Sequence, residues 1–190
     1  MCRSRRELSN EYLLATCGFN TAENEPCEVC PLSVDRSPRY DIGIWSATSK
    51  RWIDAKLTEL GVYGNDSYEI SIVVDARSMV STVVSGEVKN VKPLVVVWRT
   101  FPEFYTEENT IMFDDIRRNF ALNPQNGLTV RPFKRATTEG KDDAELPKLA
   151  HYLIAIKDLE SFSELDHLNW ESYLKRRKKI KSAEDGKQKE

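Results

Sequence analysis

Residues 110–120 read TIMFDDIRRNF, and the reading of this stretch decides the fold. Thr110–Phe113 is an apolar run that stops at two adjacent carboxylates, Asp114 and Asp115. A single acid in this position can cap a following helix. Two side by side repel each other, so a cation, an arginine or a metal is expected beside them. A core strand that runs into acids belongs to an open α/β sheet, where ligands bind outside the strand carboxyl ends.

The flanking segments alternate in the same way. Tyr40–Trp45 (YDIGIW) reads as a short buried strand that ends in Ser46, Ala47 and Thr48, a cluster suited to capping a helix. The next segment, SKRWIDAKLTELGV, places Trp52, Ile53, Lys56, Leu57 and Leu60 on one helical face, with Gly61 as the stop. Tyr68–Val74 (YEISIVV) is another strand, and Leu128–Val130 follows as a fourth. Lys92–Trp98 (KPLVVVW) has strand propensity, although Pro93 also suits a first helical turn. Arg117–Leu122 is expected as a short helix. Glu145–Leu159 is expected as a longer one, with Leu146, Leu149, Leu153 and Ile156 inward, and a final helix covers Phe162–Lys179. The pattern predicts an α/β sheet with helices between its strands.

Composition sets the limits on function. Over 190 residues the apolar share is 40% and the charged share 31%, as in a globular domain with a real core. A net charge of −2 gives no global field toward nucleic acid or an acidic membrane. No apolar stretch is long enough for a membrane-spanning helix, and MCRSRRELSNEY lacks the apolar run of a secretory signal. The four cysteines, Cys2, Cys17, Cys27 and Cys30, all precede residue 31 and read as reduced thiols. The chain divides into a Cys-containing segment 1–38 expected to be poorly ordered, a domain 39–176, and a charged tail 177–190 expected to be disordered beyond its first turn. Within the first segment only Tyr12–Ala15 is apolar enough for a short element.

Three sets of polar groups stand beside the core strands: Ser46 and Thr48 after YDIGIW, Asp114 and Asp115 after TIMF, and Lys92 before PLVVVW. Hydroxyl, ammonium and paired carboxylates suit a phosphoryl group and a small hard cation. Each also has a plainer reading. Ser46 or Thr48 can cap the next helix, Lys92 can be a surface lysine, and the two acids can cap a helix and pair with Arg117 or Arg118.

IWSATSKRWIDAKLTELGV, NVKPLVVVW and above all NTIMFDDIRRNFALNPQNGLTVRPF resemble the CTD-type phosphatases of the haloacid dehalogenase superfamily. The likeness is strongest to the branch that carries a ubiquitin-like domain, and it spans roughly residues 39–176. The resemblance implies a Rossmannoid three-layer sandwich and a magnesium-dependent protein serine/threonine phosphatase working through a phospho-aspartyl intermediate. It implies Ser46 as the phosphate-binding hydroxyl and Lys92 as the lysine that stabilises the intermediate. Asp114 and Asp115 would be the acidic pair at the magnesium, with Asp115 the better direct ligand. It also implies a nuclear location, with the cytoplasm as a second, and a phosphoprotein partner, the proteasome or the RNA polymerase tail; the composition argues against a membrane and against nucleic acid.

The Asp-x-Asp-x-Thr motif that ends the central strand in such enzymes is missing. Asp35 is followed two places on by Ser37, Asp75 by Arg77, and Asp41 opens a strand instead of ending one. The arginine usually found shortly before the lysine is also not evident in VSGEVKNVK. No ubiquitin-like domain precedes residue 39 in this sequence. The chain is therefore expected to be inactive, as a truncated product whose residues 1–38 replace the genuine N-terminal half. The alternative is a pseudophosphatase that binds phosphoproteins or the proteasome. The sheet is expected to lack its usual central nucleophile strand. Either Glu11–Phe19 fills that place, or its neighbours close up, or the fold is unstable.

Two further motifs carry little weight. Cys27-Glu28-Val29-Cys30 has the spacing of a zinc half-site or redox pair, but the other candidates, Cys2, Cys17, His151 and His167, are not themselves paired. Lys175–Lys181 (KRRKKIK) holds six basic residues in seven. It reads as a solvated helix end favoured by the macrodipole or as a nuclear import signal.

Overall fold

The computed structural model describes residues 12–15, 40–65, 68, 70–132 and 144–187. Among them, the strands are β1 Tyr12–Ala15, β2 Asp41–Trp45, β3 Ile70–Val74, β4 Val80–Val84, β5 Glu87–Val91, β6 Thr110–Asp114 and β7 Gly127–Thr129. The α-helices are α1 Lys50–Glu59, α2 Val95–Thr100, α3 Glu145–Ile156 and α4 Trp170–Lys187. Five strands form a parallel sheet in the order β3-β2-β1-β6-β7. The central place is filled, which corrects the expectation of a sheet without its central strand. Tyr12 aligns with Asp41 and Thr110, and Ala15 with Ile44 and Phe113. Two buried parallel strands present facing rows of N–H and C=O groups, and a third apolar strand satisfies both rows. YLLA supplies it. Cys2, Cys17, Cys27 and Cys30 lie outside the described residues.

Side-chain alternation then builds three layers. In β6, Ile111 packs with Leu149, Tyr152, Leu153 and Ile156 of α3, whereas its neighbour Met112 joins Trp45, Leu94, Val97 of α2 and Phe120. In β2, Ile42 and Ile44 cover Ile53 and Leu57 of α1. One sheet face thus meets α1, α3 and the start of α4, and the other meets α2. β7 begins with a glycine for a steric reason. A Cβ on Gly127 would stand 2.2 Å from Cγ of the buried Phe120.

Several local expectations change. Lys92–Trp98 resolves to a loop and the helix α2, because Lys92 and Pro93 follow a hairpin strand. That β4–β5 hairpin is absent from the sequence reading. Its turn, Ser85-Gly86, has φ of 54° and 82°, the paired positive values that a two-residue hairpin turn demands. Arg117–Phe120 is a 3-10 turn. Trp52 is not inward; it is exposed, and the Lys56 ammonium sits 5.4 Å from its ring centroid. Leu146 likewise faces outward on α3. α4 runs into the charged segment and is helical to Lys187.

His167 is 3% exposed, and its Nδ1 lies 2.9 Å from the Tyr152 hydroxyl. Burial pulls its pKa down from 6.5 to about 4, against a smaller upward pull from Asp166. The imidazole is thus held neutral. Because the folded pKa lies below the unfolded one, stability is intact above pH 6.5 and falls as pH drops toward 4. The full loss is about 3 kcal/mol. Urea unfolding of His167→Gln across this window is expected to show a shallower pH slope than wild type, with parallel slopes as the contrary result.

Candidate functional site

The site lies where the sheet changes direction. The chain passes from β1 outward to β2 and β3, then returns to add β6 and β7 on the other side. The crevice at the strand carboxyl ends beside β1 is the topological switch point, the usual ligand position in such sheets.

Lys92 follows the hairpin and points back into this crevice. Its Nζ donates to the Trp45 carbonyl at the end of β2 (3.1 Å) and to Asp114 Oδ2 at the end of β6 (2.7 Å). β2 and β6 flank β1, each about 4.8 Å from it as neighbouring strands are. One ammonium that touches both must therefore sit over the end of β1. Lys92 is 4% exposed and Asp114 2%, so this is a desolvated pair and not a surface lysine. An ammonium has three donors, and two are committed here.

Asp114 is held from three directions. Oδ2 also accepts from Asn119 Nδ2 at 2.8 Å, while Oδ1 accepts from the Ile116 N–H at 2.7 Å. The Asn119 carbonyl in turn accepts from the Lys92 N–H at 3.2 Å. Asn119 therefore fixes both members of the pair. Sequence reasoning missed it, because an asparagine in IRRNF carries no periodic or motif signal. In place of the plainer alternative, a pairing with Arg117 or Arg118, Asp114 pairs with Lys92. Asp115, next along, is exposed. Desolvation and the adjacent Asp114 charge raise its carboxyl above the usual range, with Lys92 offsetting only in part.

Ser46 is buried at the end of β2, its N–H donating to the Val74 carbonyl. Its hydroxyl lies 3.0 Å from that of Thr48. The helix cap is Ser49, whose Oγ accepts from the Trp52 N–H, so neither Ser46 nor Thr48 caps α1. Lys92 and Asp114 thus meet at the strand ends, and Ser46 directly follows Trp45, whose carbonyl Lys92 holds; neither hydroxyl nor ammonium caps a helix. That set suits the oxygens of a phosphoryl group.

A magnesium ion fits the described residues poorly. It prefers six oxygens in octahedral array. Both Asp114 oxygens already accept internal hydrogen bonds, which leaves Asp115 as the available carboxylate of the pair. Among the described residues no three acidic, histidine or cysteine side chains are grouped to hold a metal.

Comparison with known proteins agrees with the geometry. Residues 33–163 match the family described as NLI interacting factor-like phosphatase. The ubiquitin-like domain-containing CTD phosphatase 1 of Danio rerio is 51% identical over 140 residues, covering 73% of this chain and 44% of that protein. The protein of the same name from Homo sapiens is 50% identical over 140 residues, with the same coverage. The ubiquitin-like domain-containing CTD phosphatase of Arabidopsis thaliana is 47% identical over 137 residues, covering 70% of this chain and 40% of that protein. The chain therefore spans less than half the length of these relatives. The family match begins at residue 33, downstream of β1. With the switch-point crevice of a parallel α/β sheet and a match over most of its length, the chain belongs to the NLI interacting factor-like phosphatase family.

Proposed function

We propose that this chain binds phosphorylated serine or threonine side chains of proteins at the Ser46–Lys92–Asp114 crevice and does so without turnover. The observation that carries the reading is the Lys92 ammonium, buried between the ends of β2 and β6 with two of its three donors committed among the described residues. The ammonium and the Ser46 hydroxyl each offer an anionic phosphoryl oxygen a charge-assisted hydrogen bond. The absence of turnover follows from chemistry: phospho-aspartyl hydrolysis needs an attacking carboxylate, and residues 1–190 contain no Asp-x-Asp-x-Thr. Asp114 is instead engaged by Lys92, Asn119 and the Ile116 N–H. Any magnesium bound here would rest on Asp115 and on oxygens of the ligand itself.

A nuclear location and a phosphoprotein partner, with the proteasome and the RNA polymerase tail as candidates, belong to the same reading. The exposed basic run Lys175–Lys179 on α4 supports an import signal. The test is an aryl phosphate assay with magnesium on wild type beside Asp115→Asn. Both are expected at the uncatalysed rate. Turnover by wild type that Asp115→Asn abolishes would favour the other reading, a working phosphatase.

A further inference from the structure

Beside the crevice, at the carboxyl ends of β2 and β3, runs a groove of about 430 Å³ that the functional reading does not use. Lys50, Arg51 and Arg77 line it together with Ala47 and Ala76. It joins the crevice directly. Thr48, which also lines it, is hydrogen-bonded through its hydroxyl to Ser46, and its carbonyl accepts from the Ala76 N–H at 3.0 Å.

Arg77 is oriented there. Its Nε donates to Asp75 Oδ2 at 2.9 Å, and its backbone N–H donates to Asp75 Oδ1 at 3.0 Å. Asp75 is 7% exposed and also accepts from the Lys50 N–H at 3.3 Å. Burial opposes its ionisation, but the Arg77 and Lys50 bonds prevail and hold its carboxyl below the usual range. The carboxylate thus fixes the Nε–H of a guanidinium whose side chain is 85% exposed, and the far edge of the fork carries further N–H donors. Lys50 pairs with Asp54, and Arg51 has no ion pair among the described residues. Three cations against two carboxylates, Asp54 and Asp75, leave the groove with one net positive charge. The methyl groups of Ala47 and Ala76 keep it open to a peptide chain.

We propose that this groove is a subsite for an anionic side chain, glutamate, aspartate or a second phosphorylated residue, on the same peptide as the phosphoryl group in the crevice. The inference rests on the proposed phosphoryl binding and names the peptides that site prefers. Arg77 provides a preset fork, and Arg51 an unpaired charge beside it.

The experiment is fluorescence anisotropy with labelled peptides carrying one central phosphoserine. A glutamate, a second phosphoserine or an alanine is placed at successive positions on either side. For the wild-type full chain, an acidic neighbour on one side is expected to tighten binding about three- to tenfold over alanine. The phosphoserine arm separates a phosphate preference from a carboxylate one. In Arg51→Gln/Arg77→Gln this gain should fall below about twofold, and in Arg51→Gln, which disturbs no internal bond, it should be reduced in part. A wild-type gain that survives both variants, or no gain beside clear binding of the alanine peptide, overturns the subsite alone. No binding of any phosphopeptide overturns the functional reading, and the subsite falls with it.

Discussion

Replacing Lys92 by methionine is expected to destabilise the fold by about 3–5 kcal/mol, because it leaves a buried carboxylate without its counter-charge. Asp114 is 2% exposed, and its Oδ2 would lose the ammonium and retain Asn119. The Trp45 carbonyl at the end of β2 would lose its Lys92 donor as well. A methionine fills similar volume, so the loss reports charge and hydrogen bonding more than packing. The check is urea unfolding of Lys92→Met, Asp114→Asn and the double variant. The double variant should recover much of the loss, since neutralising both partners removes the stranded charge. A cost below about 1 kcal/mol for Lys92→Met would mean that the pair is solvated and the crevice is not as closed as described.

The second large effect concerns β1. Leu14 aligns with Gly43 of β2 and Met112 of β6, in the middle of the parallel sheet. Proline there removes an N–H from an interior ladder and strands a carbonyl on a neighbouring strand, and its ring crowds the adjacent chain. Leu14→Pro is expected to cost at least about 3 kcal/mol, of which the unpaired buried group alone supplies roughly 1–3 kcal/mol. The denaturation midpoint measures it. An unchanged midpoint would show that β1 does not hold the centre and that β2 and β6 are paired some other way.

The parts of this structure that were legible in the sequence are those where burial leaves a periodic trace. YDIGIW and TIMF are apolar runs long enough to mark β2 and β6, and Ile53 with Leu57 marks the inner face of α1. Ser46 and Asp114 stand at the strand ends that the sequence marked, and Lys92 reaches Asp114 there. Asp115, the next residue, is exposed. What was not legible depends on three-dimensional choices. The hairpin strands β4 and β5 are largely solvated, so no apolar stripe announces them. Ser46, Thr48 and Ser49 are equivalent as caps by residue type, and only the start of α1 selects Ser49. Trp52 and Leu146 lie at the margins of apolar faces, where a shift of a fraction of a turn decides exposure. Asn119 bonds a residue five places earlier and another 27 places earlier, spacings that belong to the fold and to no helix or strand.

The centre of the sheet is the clearest case. The family's motif is absent, yet the backbone demand for a third strand between β2 and β6 is independent of that motif. A short apolar segment meets it without bringing an aspartate nucleophile. Strand pairing and the motif therefore separate at this position, and the proposed reading of phosphoryl binding without turnover rests on that separation.

The most direct test is a calorimetric titration of the wild-type chain and Ser46→Ala with a phosphoserine peptide, followed by mass spectrometry of the recovered peptide. Saturable binding by wild type, weakened about tenfold in Ser46→Ala by loss of a charge-assisted hydrogen bond, with the phosphate intact, is the predicted result. Absence of binding, or a recovered peptide stripped of its phosphate, would contradict it.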